Sequence, residues 1–558
     1  MAIKDFFKNA FADMKEGAQE QKKVSKAQFE AAKAESKAQW EEAKAKGDPS
    51  LRKAVVQAER DAQIAEANER KAAAEARIAA AQGKKVISDT SEVHFRPSIL
   101  SHIGGTMNIL HKIHAVFERN NKKMMINASG STPGAKLEKI RSGQAYLYQK
   151  NGMESEVVEI NLTKRVWGSF LNSALALSLK RYPYLNTKLV ELDGDFYIVR
   201  NEMGLTAKKA KKLAQLGHIS CGYHLIDVTY YDKTIYVSFH HALCDGKGIK
   251  PFVETLIYYY CQQRYKSKAS AEGIRLADSP LLLNEATEPN LGSYNYDETK
   301  PDVAVSRDAY AIPENVVEEH DTDYRYYVEI PAASYMKVCK ENGATPVILT
   351  SLFVSAGMAN LYPDFDKPIN ANIAVDIRDA LDLPNTFKNC VRSMPLPYSR
   401  EFLSMPLSEQ AKIQRTLLSA QRDRDLCRKA ANASLGMFDK LDTLPSYEAK
   451  QKMMDFFNGM LINTYVISYL GQMALNENAG YIENIGFYNS GAAGLGVTMI
   501  ACGDKFCLNF KQSFESDKYV KAFLVQLDSL GIAYKASEAI AFVTPRDSII
   551  KRKGVQPL

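Results

Sequence analysis

The stretch YVSFHHALCDGKGIKPFVETLIYYY, Tyr236 to Tyr260, joins a strand to a helix through two histidines and an Asp-Gly pair. Alternation puts Val237 and Phe239 on one side of the strand and Ser238 and His240 on the other. His241 falls in phase with Phe239, so the buried side turns polar where the strand runs out. Asp245 and Gly246 follow closely enough for a tight turn, and an Asp there fixes the turn or anchors it to a basic partner. An imidazole held this way, with an ordinary pKa of about 6.5, accepts a proton at neutral pH and returns it. The same two histidines also fit a satisfied core pair, and Cys244 fits the thiol of a Cys-His nucleophile. A metal site built from His240, His241 and Asp245 is disfavoured, because neighbouring strand histidines point to opposite faces.

Outward from this stretch the chain reads as mixed α/β. On its N-terminal side, YHLIDVTYYDKTIYVSFHH gives two strands joined near Asp232-Lys233. Further upstream, FLNSALALSLKRYPYLNTKLVELDGDFYIVRNE gives a helix over about 166–181, a Tyr-Pro stop, a strand, an Asp193-Gly194 turn and a return strand. Residues 266 to 324 are polar and rich in Pro, Asn, Ser and Asp, as expected of a linker or crossover. A second α/β block starts near Tyr326, with a helix capped by Thr345 and opened by Pro346, then a strand in INANIAVDIRDAL. The order strand, helix, strand repeats the first block, which suggests two similar halves with a site between them.

Residues 1–84 differ from everything that follows. Ala, Glu, Lys and Gln dominate, all good helix formers, and Gly47-Asp48-Pro49 breaks the tract into two helices. In the first turns Ile3, Phe6, Phe7, Ala10, Phe11 and Met14 recur at helical spacing. That face suits a membrane surface, docking on the protein's own globular part, or self-association. Beyond it the helices carry mostly Ala where a coiled coil would carry Leu or Ile, so self-association through them should be weak.

A net charge of +7 is small beside 72 basic and 65 acidic side chains, and it implies no nucleic-acid surface. The eight cysteines are scattered, with no C-x-x-C, and read as buried thiols of a reducing compartment. No signal peptide or membrane-spanning apolar run is evident. The expected location is cytoplasmic, or peripheral at a membrane.

His240, His241, Asp245 and Gly246 form the H-H-x-x-x-D-G pattern, and here the chain resembles the CoA-dependent acyltransferase superfamily. That superfamily includes chloramphenicol acetyltransferase, peptide-synthetase condensation domains, alcohol acetyltransferases and plant-type acyltransferases. Over about 95–545, NSALALSLKRYPYLNTKL, NIAVDIRDALDLPNTFKNC with Lys388-Asn389, and TYVISYLGQM with Ser468 and Gly471 add to the likeness. The resemblance implies two chloramphenicol-acetyltransferase-like subdomains around a central tunnel, placed at 85–290 and 291–558 after the helical extension. It implies His241 as general base, with His240, Asp245 and Gly246 structural or orienting. Arg378 would be the partner of Asp245, with Asp376 and Asp379 as competitors. Ser468 would contact the oxyanion or the acceptor, or merely cap a strand. The donor would be acyl-CoA as co-substrate, with no bound cofactor or metal, and the acceptor a small-molecule or lipid alcohol or amine. ENIGFYNSGAAGLG offers Gly486 and Phe487 but no Trp where the plant-type enzymes carry D-F-G-W-G, which points away from that branch. A carrier-protein-dependent, condensation-like enzyme and a non-catalytic scaffold are the competing readings.

Overall fold

Ile235, Val237 and Phe239, the inward side of the strand that ends in the histidines, are almost completely buried against two helices. The structure, a computed structural model, describes residues 137–148, 155–192, 195–305, 308–313, 322–459, 463–489, 494–543 and 556–557. All of these lie in one compact unit, Lys112–Leu558. The expected helices over 1–84, their Gly47-Asp48-Pro49 break, the amphipathic first turns and the Asp193-Gly194 turn lie outside the described residues.

The first part of the chain runs β1 (Glu138–Lys139), β2 (Ser155–Leu162), α1 (Gly168–Arg181), β3 (Thr187–Leu192), β4 (Asp195–Arg200), β5 (Lys208–Lys209), β6 (Ile226–Tyr231), β7 (Thr234–His240) and α2 (Gly246–Tyr265). After the crossover come β8 (Thr322–Pro331), α3 (Ala332–Glu341), α4 (Pro346–Leu361), β9 (Ile369–Asp376), β10 (Val391–Tyr398), α5 (Leu407–Gln421), α6 (Arg424–Asp442) and α7 (Tyr447–Gly459). The chain ends with β11 (Tyr465–Gln472), β12 (Ile482–Asn489), β13 (Leu495–Cys502), β14 (Lys505–Gln512), α8 (Lys518–Ser529), β15 (Lys535–Ala536), β16 (Ile540–Val543) and β17 (Gln556–Pro557). The fold is mixed α/β.

A five-stranded sheet, ordered β12-β2-β7-β6-β5, carries the His-His stretch. An eight-stranded sheet runs β10-β9-β11-β13-β14-β8-β15, with β16 also on β8. A third sheet is ordered β1-β4-β3-β17. Two apolar cores result. The first packs α1 and α2 on β2, β6 and β7, and the second surrounds α4 on the eight-stranded sheet. α4 is apolar on nearly every side, as a helix buried all round must be. Its N-terminus is capped by Thr345, whose hydroxyl accepts from the Ile348 amide at 3.4 Å.

One strand crosses between the parts. β12 lies late in the chain, yet it pairs antiparallel with β2, Ile485 opposite Ile160 and Phe487 opposite Val158. Its apolar side chains enter the first core. The late chain therefore completes the sheet that holds the histidines, and the two parts are fastened at backbone level.

The crossover, expected to be a polar linker, is firmly held at one point. Arg181, at the end of α1, donates to both carboxylate oxygens of Glu285 at 2.9 and 2.8 Å, and both side chains are buried. Tyr184 also donates to Glu285, at 2.6 Å. The Glu285 carbonyl then accepts from the Phe387 amide at 2.9 Å, while Phe387 stacks on Tyr184. A buried pair of this kind contributes little net stability but is costly to break, so it fixes where the chain must run. The Phe387–Asn389 loop beside the histidines is thereby placed.

Candidate active site

β7 ends at His240, and His241 is the first residue beyond it. His240 is fully buried, and its Nδ1 accepts from the Ala242 amide at 3.0 Å. It shapes the turn that follows. The His241 side chain is 12% exposed, which keeps a narrow path to solvent. Its ring lies flat on Tyr146, with centroids 3.8 Å apart and planes 6° from parallel. Its carbonyl accepts from the Asn389 side-chain amide at 2.5 Å. The imidazole is thus immobilised through its face and its backbone, and its Nδ1 is buried. Burial lowers the His241 pKa below the ordinary imidazole value, opposed by the nearby Asp245 carboxylate. The ring is neutral at physiological pH, as a base must be before it acts.

Asp245 faces away from this chemistry. As the N-cap of α2 its Oδ1 accepts from the Gly248 amide at 2.8 Å, and it also receives Arg378 Nη2 at 2.7 Å. Oδ2 accepts from the Cys390 amide at 2.9 Å. Arg378 further donates to Asp376 at 2.7 Å and to the Thr386 and Lys388 carbonyls at 2.8 and 2.7 Å. The Asp245 and Arg378 side chains are each 1% exposed. Arg378 therefore holds both Asp245 and Asp376, and ties the start of α2 to the 376–390 segment.

Glycines permit this close fit. A Cβ on Gly248 would overlap the Phe387 carbonyl, and one on Gly246 would press on Leu470 and Phe487 at 3.1 and 3.2 Å. Gly143 abuts the Ala242 backbone just ahead of the short helix Gln144–Leu147 that carries Tyr146. That segment is anchored by Glu288 of the crossover, which accepts from the Arg141 and Ser142 amides at 2.9 and 2.5 Å.

Ser468 lies in β11, in register with Ala374 of β9 and Thr498 of β13. Its neighbours Ile467 and Tyr469 pack into the second core, whereas Leu470 packs on the first core beside Gly246. Ser468 is half-buried on the opposite side from Ile467. Lys388 turns away from His241 to pair with Glu138 and, at 3.8 Å, with Glu288.

Cys244 is completely buried, and burial holds its thiol well above the usual value. A thiol kept protonated is a poor nucleophile. All eight cysteines are buried and free. Among the described residues no group of three or more His, Cys, Asp or Glu side chains is placed to hold a metal. A surface groove of about 950 Å³ lies between the crossover and α5. Two of its cations are already engaged, Lys300 with Asp423 and Asp425 and Arg415 with the Gly343 carbonyl.

Sequence reasoning missed two residues in contact with His241. Tyr146 left no signal in the sequence. Glu156 did: in SEVVEINL it falls in phase with Val158 and Ile160, a carboxyl on the apolar side of a strand. In register it sits opposite Phe239, and its Oε1 lies 3.6 Å from His241 Nε2. Burial, reinforced by Asp245 and opposed by Lys511, pushes the Glu156 carboxyl up to about 8.

No family model matches the sequence, and no curated protein matches it. Solved structures do resemble it. Polyketide synthase associated protein 5 from Mycobacterium tuberculosis is 14% identical, covering 70% of this chain and 98% of its own, with a TM-score of 0.49. TRI101 from F. sporotrichioides, complexed with coenzyme A and T-2, is 11% identical over 72% of this chain and 99% of its own, with a TM-score of 0.46. The first condensation domain of the CDA synthetase is 12% identical over 71% and 96%, with a TM-score of 0.45. At these identities and scores none of the likenesses decides what the site does, which rests on its own geometry.

Proposed function

We propose that the protein is an acyltransferase that moves an acyl group from an acyl-CoA thioester to an alcohol or amine acceptor, with His241 as general base. The observation that carries this reading is the state of the His241 ring. It is neutral, immobilised by Tyr146 and Asn389, and slightly exposed. The neighbouring thiol is kept protonated, which favours direct transfer over an acyl-enzyme.

In this scheme His241 takes the proton of the acceptor hydroxyl as the oxygen attacks the thioester carbonyl carbon. A carbon–oxygen bond forms, and the carbonyl electrons move to the oxygen. Collapse of this tetrahedral species breaks the carbon–sulfur bond, and the departing thiolate receives the proton from His241. Ester and free CoA thiol result, or amide where the acceptor is an amine. Ser468 is assigned to the oxyanion or the acceptor, where losing one such donor typically costs about 10²–10³ in rate. Asp245, Arg378, His240 and Gly246 hold the base in place. The two cores are read as chloramphenicol-acetyltransferase-like subdomains on either side of a tunnel that reaches His241.

The test is thiol release from a panel of acyl-CoAs with pools of alcohols and amines, comparing the native protein with His241→Ala. Acceptor-dependent release that the substitution abolishes supports the reading. Equal release from the folded variant sinks it, as does absence of release from every donor–acceptor pair.

A further inference from the structure

The two faces of the eight-stranded sheet are covered unequally. Ile373 of β9, Met394 of β10, Ile467 of β11 and Val497 of β13 point into the second core. Their neighbours along each strand therefore point the other way. From β13 towards β8 that opposite face lies under β12: the Thr498 hydroxyl donates to the Phe487 carbonyl, and a Cβ on Gly486 would stand 3.4 Å from Asn509. From β10 to β13 neither core covers it. Val466 is 40% exposed and belongs to neither core, and Ser393 is exposed.

Two rows of side chains cross this part of the sheet. Ser393, Ala374 and Ser468 stand side by side in the first. Asn372, Val466 and Gly496 form the second, two residues or roughly 7 Å further from the Asp376 end of β9. Their small size leaves room, and a Cβ on Gly496 would meet only the Lys511 carbonyl, at 3.9 Å. Asn372 breaks the economy of the floor. It is 7% exposed, and its amide oxygen is buried with no hydrogen-bond partner among the described residues. A buried acceptor left unpaired is costly, and a Val at 372 would avoid that cost. Both rows are uncharged, and the cations next along the second row are taken: Lys511 pairs with Asp323 at 3.4 Å and Arg325 with Glu159 at 2.5 Å. Such a floor does not suit the phosphates of CoA. It suits a neutral chain that brings one hydrogen-bond donor.

Accepting the proposed acyl transfer, with Ser468 at the reacting end, we propose that this strip of β9, β11 and β13 is a substrate-binding floor: it takes a neutral, extended part of a substrate whose N–H or O–H donates to Asn372 Oδ1. The tail of a hydroxylated or amide-bearing acceptor has this chemistry, and so does the amide-containing arm of the acyl-CoA. Asn372 is then a specificity-determining residue, and Val466 and Gly496 form the apolar bed on either side of the contact.

The test uses the full chain. All eight native cysteines are buried, so Val466→Cys adds one thiol on the floor, and maleimide labelling reads its access without any turnover. The variant should label rapidly while the native protein does not. Acetyl-CoA, octanoyl-CoA, or one of the alcohol and amine pools should slow that labelling at least tenfold, and whichever protects names the source of the bound chain. In the thiol-release assay Asn372→Leu should raise KM for that same substrate roughly tenfold, the loss of one hydrogen bond, with KM for the other unchanged. A Val466→Cys protein that labels as slowly as the native one overturns the inference, because the floor is then covered. Thiol release without protection by any of the probes, or with both KM values native in Asn372→Leu, overturns it and leaves the acyl-transfer reading standing. Protection without thiol release from any donor–acceptor pair overturns the acyl-transfer reading and leaves the floor as a binding site.

Discussion

Replacing Glu156 by Gln should make the folded protein more stable, and by an amount that grows with pH. The carboxyl is pushed from the ordinary 4.5 to about 8, first by burial. Between those values the unfolded chain has released its proton while the folded chain still holds it. Stability from this group is therefore fully present below about 4.5 and is lost as pH rises through about 8. At 1.36 kcal/mol per pKa unit, the loss reaches roughly 4 kcal/mol at pH 8 and is under 1 kcal/mol at pH 5. Gln has the same shape and no proton to release. The difference in unfolding free energy between Glu156→Gln and the native protein should then rise by about 3 kcal/mol from pH 5 to pH 8. Urea unfolding at each pH measures it, provided the slope m is the same for both proteins, so that midpoints convert directly. A difference that stays flat across that range refutes the reasoning, because it means Glu156 is already a carboxylate in the folded protein. Lys511, which acts to lower the Glu156 pKa, would then be the group to suspect.

The remaining predictions concern the scaffold around the base. Asp245→Asn keeps an oxygen for the Gly248 amide but leaves the buried Arg378 with one carboxylate fewer. It should cost about 3 kcal/mol, the lower end for breaking a buried pair, because Asp376 still holds Nη1. A double-mutant cycle with Arg378→Met, read by urea midpoints, should show coupling, and strict additivity would contradict the pairing. Gly143→Ala drives a methyl group into the Ala242 backbone, so it should cost at least about 1–3 kcal/mol and displace Tyr146 from His241. Loss of acyl transfer in a folded Gly143→Ala protein would confirm that route, and native stability would exclude it.

The His-His stretch and its helix were legible because the alternation in TIYVSFH and the Asp245-Gly246 stop are both local signals. Thr345-Pro346 opened its helix for the same reason. The partnership of Asp245 with Arg378 spans 133 residues of chain, and the residues by themselves offered Asp376 and Asp379 as rivals. Only the resemblance selected Asp245, and the guanidinium in fact engages Asp376 as well. The pairing of β12 with β2 was invisible, since IENIGFYN carries nothing that names its partner strand. Glu156 was half legible. Its phase with Val158 and Ile160 marks a carboxyl on an apolar face, but what it faces depends on the register of β2 with β7.

The two acids near His241 are suited to opposite tasks. Asp245 spends its oxygens on two backbone amides and a guanidinium, so turning toward the imidazole would break three hydrogen bonds, one of them to a charged guanidinium. It acts on the ring only through the field of its fixed charge. Among the described residues Glu156 has no such ties and no cation in contact, and burial pushes its carboxyl up to about 8, within reach of ordinary pH. A helix cap with an arginine engages both oxygens of a carboxylate, whereas an apolar strand face leaves a carboxyl few partners. The acid that belongs to the pattern should therefore set geometry, and the acid outside it should set the pH response. Asp245→Asn, corrected for its folded fraction, should keep the native shape of the pH–rate profile at a lower amplitude, and Glu156→Gln should change the shape. The reverse assignment, with the profile altered by Asp245→Asn and untouched by Glu156→Gln, would mean that proton control in this site is exerted through the buried Asp245–Arg378 pair after all.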